Sequence, residues 1–315
     1  MSAASRRLPA VLLCLAALAT VSAACDGGGS GGASGGPGET PSQSASSIFD
    51  KPSVTVAVKK GQPGFNTRSG EEYEYAGFET DLLNALADDV GFKKYTHDIP
   101  SLRREDILLD QGADLVIATY TITDARDEKI DFTAPYMKTY QGILVQKGDS
   151  EIVKLKDVDG KRVCSASGST SDPGSVEGEQ AQKSIRETLG QNVKPGFRKD
   201  YKTCVKELAD GNFDAVWTDR LVLEGFAHQK PYEDDVKVVE DIKIDKQQYY
   251  GIGIREKHGA DCRRLNRSLK KFLDTRWRMT FQQHFPDLAE GDFEQRYKPS
   301  DSEFENYRAT SCGAK

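Results

Sequence analysis

The chain has 315 residues, of which 29% are charged, and a formal net charge of −6. That acidic balance argues against nucleic acid or an anionic lipid surface as the main partner. From about Ile48 onward the chain is long enough for one large or two medium domains.

Arg6 and Arg7 precede an apolar run from Leu8 to Val21, and Ser22-Ala23-Ala24 leads to Cys25. The run is shorter than the ~20 residues that cross a bilayer, so residues 1–24 are expected to be a secretory signal. A cysteine directly after small residues resembles a bacterial lipobox, in which Cys25 would be lipidated; plain cleavage after Ala24 is the alternative. Residues 26–47 are rich in Gly and Ser and hold almost nothing to bury, so 25–47 read as a lipidated cysteine and a flexible tether. Such a leash would hold a soluble domain at the extracellular face of the cell membrane.

Cys164, Cys204, Cys262 and Cys312 remain once Cys14 leaves with the signal and Cys25 is assigned. An even number outside the cell suggests two disulfides, with three connectivities open. No CxxC pair occurs, and His97, His228, His258 and His284 are not spaced as ligands, so no metal and no cofactor are expected.

Ser53–Val58 reads as a strand, followed by the polar loop Lys59–Gly64. Phe78, Leu82, Leu86 and Val90 recur every four residues, the mark of an amphipathic helix, and Gly91 stops it. A short helix around Arg103–Asp110 leads to the strand Ala113–Ala118. Thr119, Thr121, Thr123, Asp124 and Arg126 follow at once. A strand ending this way delivers hydroxyls and one arginine to the carboxyl edge of a sheet, where α/β folds hold ligands. The arginine fork suits a carboxylate; a capped turn with a surface arginine is the plainer alternative.

Thr139–Lys147 reads as a strand, and Val158–Val163 leads to another. Gly168-Ser169-Thr170 then opens a polar helix containing Gln180, Ile185 and Leu189. That turn is either an anion site of free amides and hydroxyls or an ordinary N-cap. After Cys204 a helix runs to Gly211, and the strand Phe213–Trp217 sets Thr218-Asp219 at its end. Gln247–Ile254 reads as one more strand, and Leu265–Phe285 as a helical tail with Leu265, Leu269, Phe272 and Trp277 on one face. Strands alternating with helices point to an α/β layer architecture.

These motifs together resemble the family 3 extracellular solute-binding proteins, the polar amino-acid receptors of ABC importers. Gly77-Phe-Glu-Thr-Asp-Leu82 is similar to the family's signature helix. Gly112–Ala118 with Thr-Ile-Thr-x-x-Arg126, Asp131-Phe-Thr-x-Pro-Tyr136, Gly168-Ser-Thr, Asp214-Ala-Val and Tyr250-Gly-Ile follow in the family's order. Ala118-Thr-Tyr-Thr-Ile, Cys164-Ser-Ala-Ser-Gly-Ser-Thr, Cys204-Val-Lys-Glu-Leu and Tyr249-Tyr-Gly-Ile-Gly most resemble glutamate-binding lipoproteins of high-GC Gram-positive bacteria.

The resemblance implies a two-lobed, type II periplasmic-binding-protein-like fold with two crossing hinge strands. Lobe 1 would comprise 53–139 plus 253–315, and lobe 2 would comprise 140–252. Cys164 and Cys204 then share a lobe, which implies their pairing and leaves Cys262 with Cys312. Arg126 would take the ligand's α-carboxylate, helped by amides of Thr121, Ser169 and Thr170 in the Gly168 turn. Asp219 would meet the α-ammonium with the Thr119 carbonyl. Lys59 stands where glutamine-binding relatives carry an aspartate, so a side-chain carboxylate is expected there, with Arg104 and Gln62 as further candidates. If it does not line the site, Lys59 is a solvated loop residue. The implied function is capture of glutamate, then aspartate, by a monomer that delivers it to an ABC permease. A sensor for a membrane receptor is the alternative. A dehydratase-like enzyme is disfavoured, because no placed acid or base set is legible.

Overall fold

A computed structural model describes residues 46–69, 74–172 and 179–313. The expected signal, Cys25 and nearly all of the expected tether lie outside the described residues. Among the described residues no helix is long and apolar enough to cross a membrane.

The first lobe opens with β1 (Val54–Lys59), the ribbon β2 (Thr67–Ser69) and β3 (Glu74–Ala76), α1 (Phe78–Val90) and β4 (Lys94–Ile99). It continues with α2 (Arg104–Leu109), β5 (Leu115–Ile117), α3 (Asp124–Asp127) and β6 (Asp131–Phe132). β1 lies between β4 and β5, parallel to both. Five of its six residues are buried, as expected of a parallel strand covered on both faces. α1 buries Phe78, Leu82, Leu86 and Val90, the stripe that the four-residue recurrence predicts. β4 was not legible: its Lys, His and Asp residues make a half-exposed edge strand without a clean alternation.

The second lobe holds β7 (Met137–Gln146), β8 (Arg162–Ala166), α4 (Glu179–Leu189), β9 (Lys194–Arg198) and α5 (Tyr201–Ala209). It closes with β10 (Ala215–Asp219), α6 (Arg220–Ala227), β11 (Val236–Val238) and β12 (Ile244–Tyr250). Its sheet runs β11-β7-β10-β8-β9, with β12 paired to β7.

The single strand expected over Gln247–Ile254 is two. β12 ends at Tyr250, and β13 (Gly253–Ile254) starts after Gly251 and Ile252. β12 belongs to the second sheet, whereas β13 inserts between β5 and β6 of the first. The break is the place where the chain crosses between lobes. β7 makes the other crossing, and the two strands pair antiparallel through Thr139↔Gln248 and Lys138↔Tyr249.

α7 (Gly259–Thr275) packs on α1, and α8 (Trp277–His284) follows. Beyond it, α9 (Phe293–Tyr297) and α10 (Asp301–Thr310) form a tail. Phe281 stacks on Trp277, Phe293 and Tyr297 with ring centres 4.9, 5.3 and 5.2 Å apart, so the tail is anchored by apolar area. Its end is fixed by the Cys262–Cys312 disulfide; the other disulfide, Cys164–Cys204, ties β8 to α5. Cys204 sits one turn inside α5, whose N-cap is Asp200.

Candidate functional site

The carboxyl end of β1, the turn after β5, the turn after β8 and the end of β10 converge on one cleft. Ser101, Arg104, Thr119 and Thr121 line it from the first lobe, and Ser169, Thr170, Tyr201, Thr218, Asp219 and Val222 from the second. The lobes are shut: the cavity between these side chains is about 10 Å³, room for roughly one water. Towards solvent it continues into a groove of about 530 Å³ that reaches Arg126, Gly168 and Gln248.

Two buried arginines of the first lobe meet one carbonyl of the second. Nη2 of Arg104 donates to the Gly168 carbonyl at 2.8 Å and Nη2 of Arg126 to the same oxygen at 3.2 Å. Both guanidinium groups lie over the Tyr120 ring, at 4.7 and 5.0 Å from its centre. Burial, and then the Arg104 charge, pull the Arg126 pKa down to about 10, so it still carries its charge at neutral pH. Two like charges on one neutral carbonyl leave strong positive potential for an anion. At the rim, Glu105 reaches Nε of Arg126 at 3.2 Å, while Nη1 donates to the Thr121 carbonyl at 2.9 Å.

Gly168 has φ +75°, and a Cβ there would lie 2.4 Å from the Leu102 Cα, so only glycine lets the turn approach the first lobe this closely. Behind it, Gln141 donates to the Thr170 and Ser171 hydroxyls at 3.0 Å and fixes the turn's orientation.

Thr119 has φ +43°, an outlying conformation for a β-branched residue. Its amide donates to Oε1 of Glu79 at 2.5 Å, and its carbonyl accepts from Nη1 of Arg104 at 2.9 Å. The carbonyl expected to face an ammonium therefore already holds a guanidinium N–H on one side. Burial pushes the Glu79 carboxyl up to about 7, and its Oε2 makes no hydrogen bond among the described residues.

Lys59, at the end of β1, is 1% exposed and is not a solvated loop residue. Its ammonium bonds the Ser101 hydroxyl and lies 5.7 Å from the Tyr201 ring centre. Burial first, and Arg104 second, lower its pKa to about 7. Gln62 donates to Oγ1 of Thr119 at 3.0 Å. Across the cleft, Asp219 caps the start of α6. Oδ2 accepts from the Tyr250 hydroxyl at 2.6 Å, while Oδ1 makes no hydrogen bond among the described residues. Burial raises this carboxyl to about 6.

Of the residues singled out from sequence, Arg104, Thr119, Thr121, Ser169, Thr170 and Asp219 line the cleft directly. Arg126 and Gly168 stand at its mouth, and Lys59 and Gln62 back it through Ser101 and Thr119. Sequence reasoning missed Ser101, Tyr201, Thr218, Val222, Glu79 and Tyr120 as parts of the site. Glu79 and Tyr120 sat inside quoted motifs. Ser101 and Tyr201 arrive through loop geometry that no local pattern carries.

Residues 54–285 match the profile of the bacterial extracellular solute-binding proteins, family 3. The chain is 34% identical over 236 residues to the glutamate-binding protein GluB of Corynebacterium glutamicum, covering 70% of this chain and 73% of that one. It is 29% identical over 241 residues to the ABC transporter glutamine-binding protein GlnH of Bacillus subtilis, covering 74% and 81%. A solved structure of an ancestral arginine-binding protein bound to glutamine aligns with a TM-score of 0.65 at 27% identity, over 75% of this chain and 98% of the other. The matched span runs from β1 to the end of α8 and takes in both lobes, so the chain belongs to the bacterial extracellular solute-binding proteins, family 3.

Proposed function

We propose that this protein is the receptor of an amino-acid ABC importer and takes acidic amino acids, glutamate first, aspartate next and glutamine more weakly. Cys25 carries its lipid anchor, and a monomer works at the extracellular face of the membrane. It performs no chemical turnover. Lobe 1 comprises 53–139 plus 253–315, lobe 2 comprises 140–252, and the hinge bends in Tyr140–Leu144 and Gln248–Ile252. Arg126 takes the α-carboxylate with the Thr121, Ser169 and Thr170 amides, and Asp219 takes the ammonium through its unpaired oxygen. Closure follows because the ligand's charges need both lobes at once.

Two cations without a carboxylate partner carry the specificity. Lys59 and Arg104 are buried at the cleft and form no ion pair among the described residues, whereas Arg126 is met by Glu105 at 3.2 Å. A side-chain carboxylate would give these two cations a partner; the amide of neutral glutamine would not. A buried charge without a partner is costly, and this is what rejects the near-isostere. The relatives include a glutamate-binding and a glutamine-binding protein, which supports testing these two ligands first.

Calorimetry on the soluble domain tests this. Wild type should bind glutamate more tightly than glutamine. Lys59→Asp should weaken glutamate by about 2 kcal/mol or more and spare or improve glutamine. Equal or tighter glutamine binding by wild type, or an unchanged ratio in the variant, refutes the assignment of Lys59.

A further inference from the structure

α6 of the second lobe abuts the loop after β1 of the first. The contact is Gly225 against Pro63. A Cβ built on Gly225 would lie 2.3 Å from the Pro63 carbonyl oxygen and 3.0 Å from its carbon. No side chain other than hydrogen fits there while the lobes are shut.

The loop is held in place from three directions. Gln62 and Asn66 exchange backbone hydrogen bonds at 2.9 and 2.8 Å, and the Gln62 side chain is held by Thr119. Gly64 is pressed on the Phe285 ring, which would meet a Cβ at 2.4 Å. The obstacle is thus backbone in a pinned loop. A methyl group at 225 would be relieved by moving α6, and the lobe that carries it, outward by about 1 Å to reach ordinary contact distance.

α6 begins at Asp219, the carboxylate with a free oxygen facing the cleft. At 1.5 Å per residue the helix places Gly225 roughly 9 Å from it on the same rigid rod. The seat under Gly225 therefore fixes how far Asp219 travels towards the first lobe. We propose that Gly225 is a positioning residue for ligand capture: its bare backbone lets α6 seat on Pro63, and that seat sets the closed angle at which Asp219 reaches the ligand's ammonium. The proposal rests on the reading that the lobes close on an amino acid.

The test is Gly225→Ala, titrated in parallel with L-glutamate and L-glutamine. Alanine is the better helix former, so the ligand-free variant should melt cooperatively at or above the wild-type temperature. Affinity for whichever probe wild type prefers should fall by at least about tenfold, almost all of it in the dissociation rate. Small-angle scattering should show wild type compacting on ligand addition and the variant compacting less. Wild-type affinity together with full compaction in the folded variant overturns the inference. Should the variant fail to fold, hydrogen exchange of wild type decides. Ligand should raise protection across Val222–Phe226, and unchanged protection there also overturns it. A wild type that binds without compacting overturns the closure reading and this inference with it. A preference for glutamine refutes only the acidic specificity.

Discussion

The two lobes are built on similar layers but bring different groups to the cleft. The first brings Lys59, Arg104 and Arg126 to the cleft; the second brings the Gly168 carbonyl, hydroxyls and Asp219. On the proposed reading the first lobe meets the ligand's carboxylate and the second, with one carboxylate raised to about 6 by burial, meets its ammonium. The ligand is then the bridge between the lobes.

The largest effect should come from breaking either end of that bridge. Arg126→Ala and Asp219→Ala should each lower affinity by roughly 2–5 kcal/mol, because each strands a ligand charge in a dry cleft. Calorimetry that found near-normal binding in either variant would move the site elsewhere. Next come the disulfides, one in each lobe and, among the described residues, none between them. Replacing Cys164 and Cys204 together, or Cys262 and Cys312 together, should lower stability by about 2–4 kcal/mol in denaturant titration. Neither pair should change the closed angle seen by scattering, and a change would mean that the lobes are not independent frames.

The smallest effect is a pH dependence with two limbs of different origin. With the lobes shut, burial raises Asp219 to about 6, so below about pH 6 it is protonated on closure and must lose its proton to meet an ammonium. Affinity should fall as the solution is acidified. Lys59 titrates near 7, so above about pH 7 it is neutral and must take up a proton to meet a side-chain carboxylate. Glutamate affinity should fall on that side as well, giving a maximum between about pH 6 and 7. Glutamine should lack the alkaline limb. Identical profiles for both ligands would remove Lys59 from the side-chain pocket.

Much of the frame was legible because it is periodic. α1 follows its four-residue stripe, and β5 and β10 are short aliphatic runs that end in polar groups, as read. Asp219 was legible for the same reason, since it ends β10; Arg126 lies past the end of β5, in α3, and was picked out by its residue type. What escaped depends on distance in sequence. Ser101 becomes part of the site only when the loop before α2 folds under Lys59. Tyr201 does so only when α5 is stapled to β8. The run Gln247–Ile254 looks continuous as a pattern. It is divided in space because Gly251 and Ile252 carry the chain from one sheet to the other, and apolar alternation does not register a change of partner.

That division has a consequence for the order in which the molecule can be completed. The second sheet is drawn from one uninterrupted stretch, β7 to β12. The first sheet needs β13, and its covering layer needs α7 and the Cys262–Cys312 staple. α10 then docks on the paired crossing strands, where Glu303 takes the Tyr249 hydroxyl at 2.6 Å and the Lys138 ammonium at 3.0 Å. A chain that emerges N-terminus first can finish the inserted lobe while the outer one still waits for its last residues. The prediction is that cysteine trapping during cell-free synthesis finds the Cys164–Cys204 bond formed before Cys262–Cys312; the reverse order would show that the outer lobe gathers its distant pieces first.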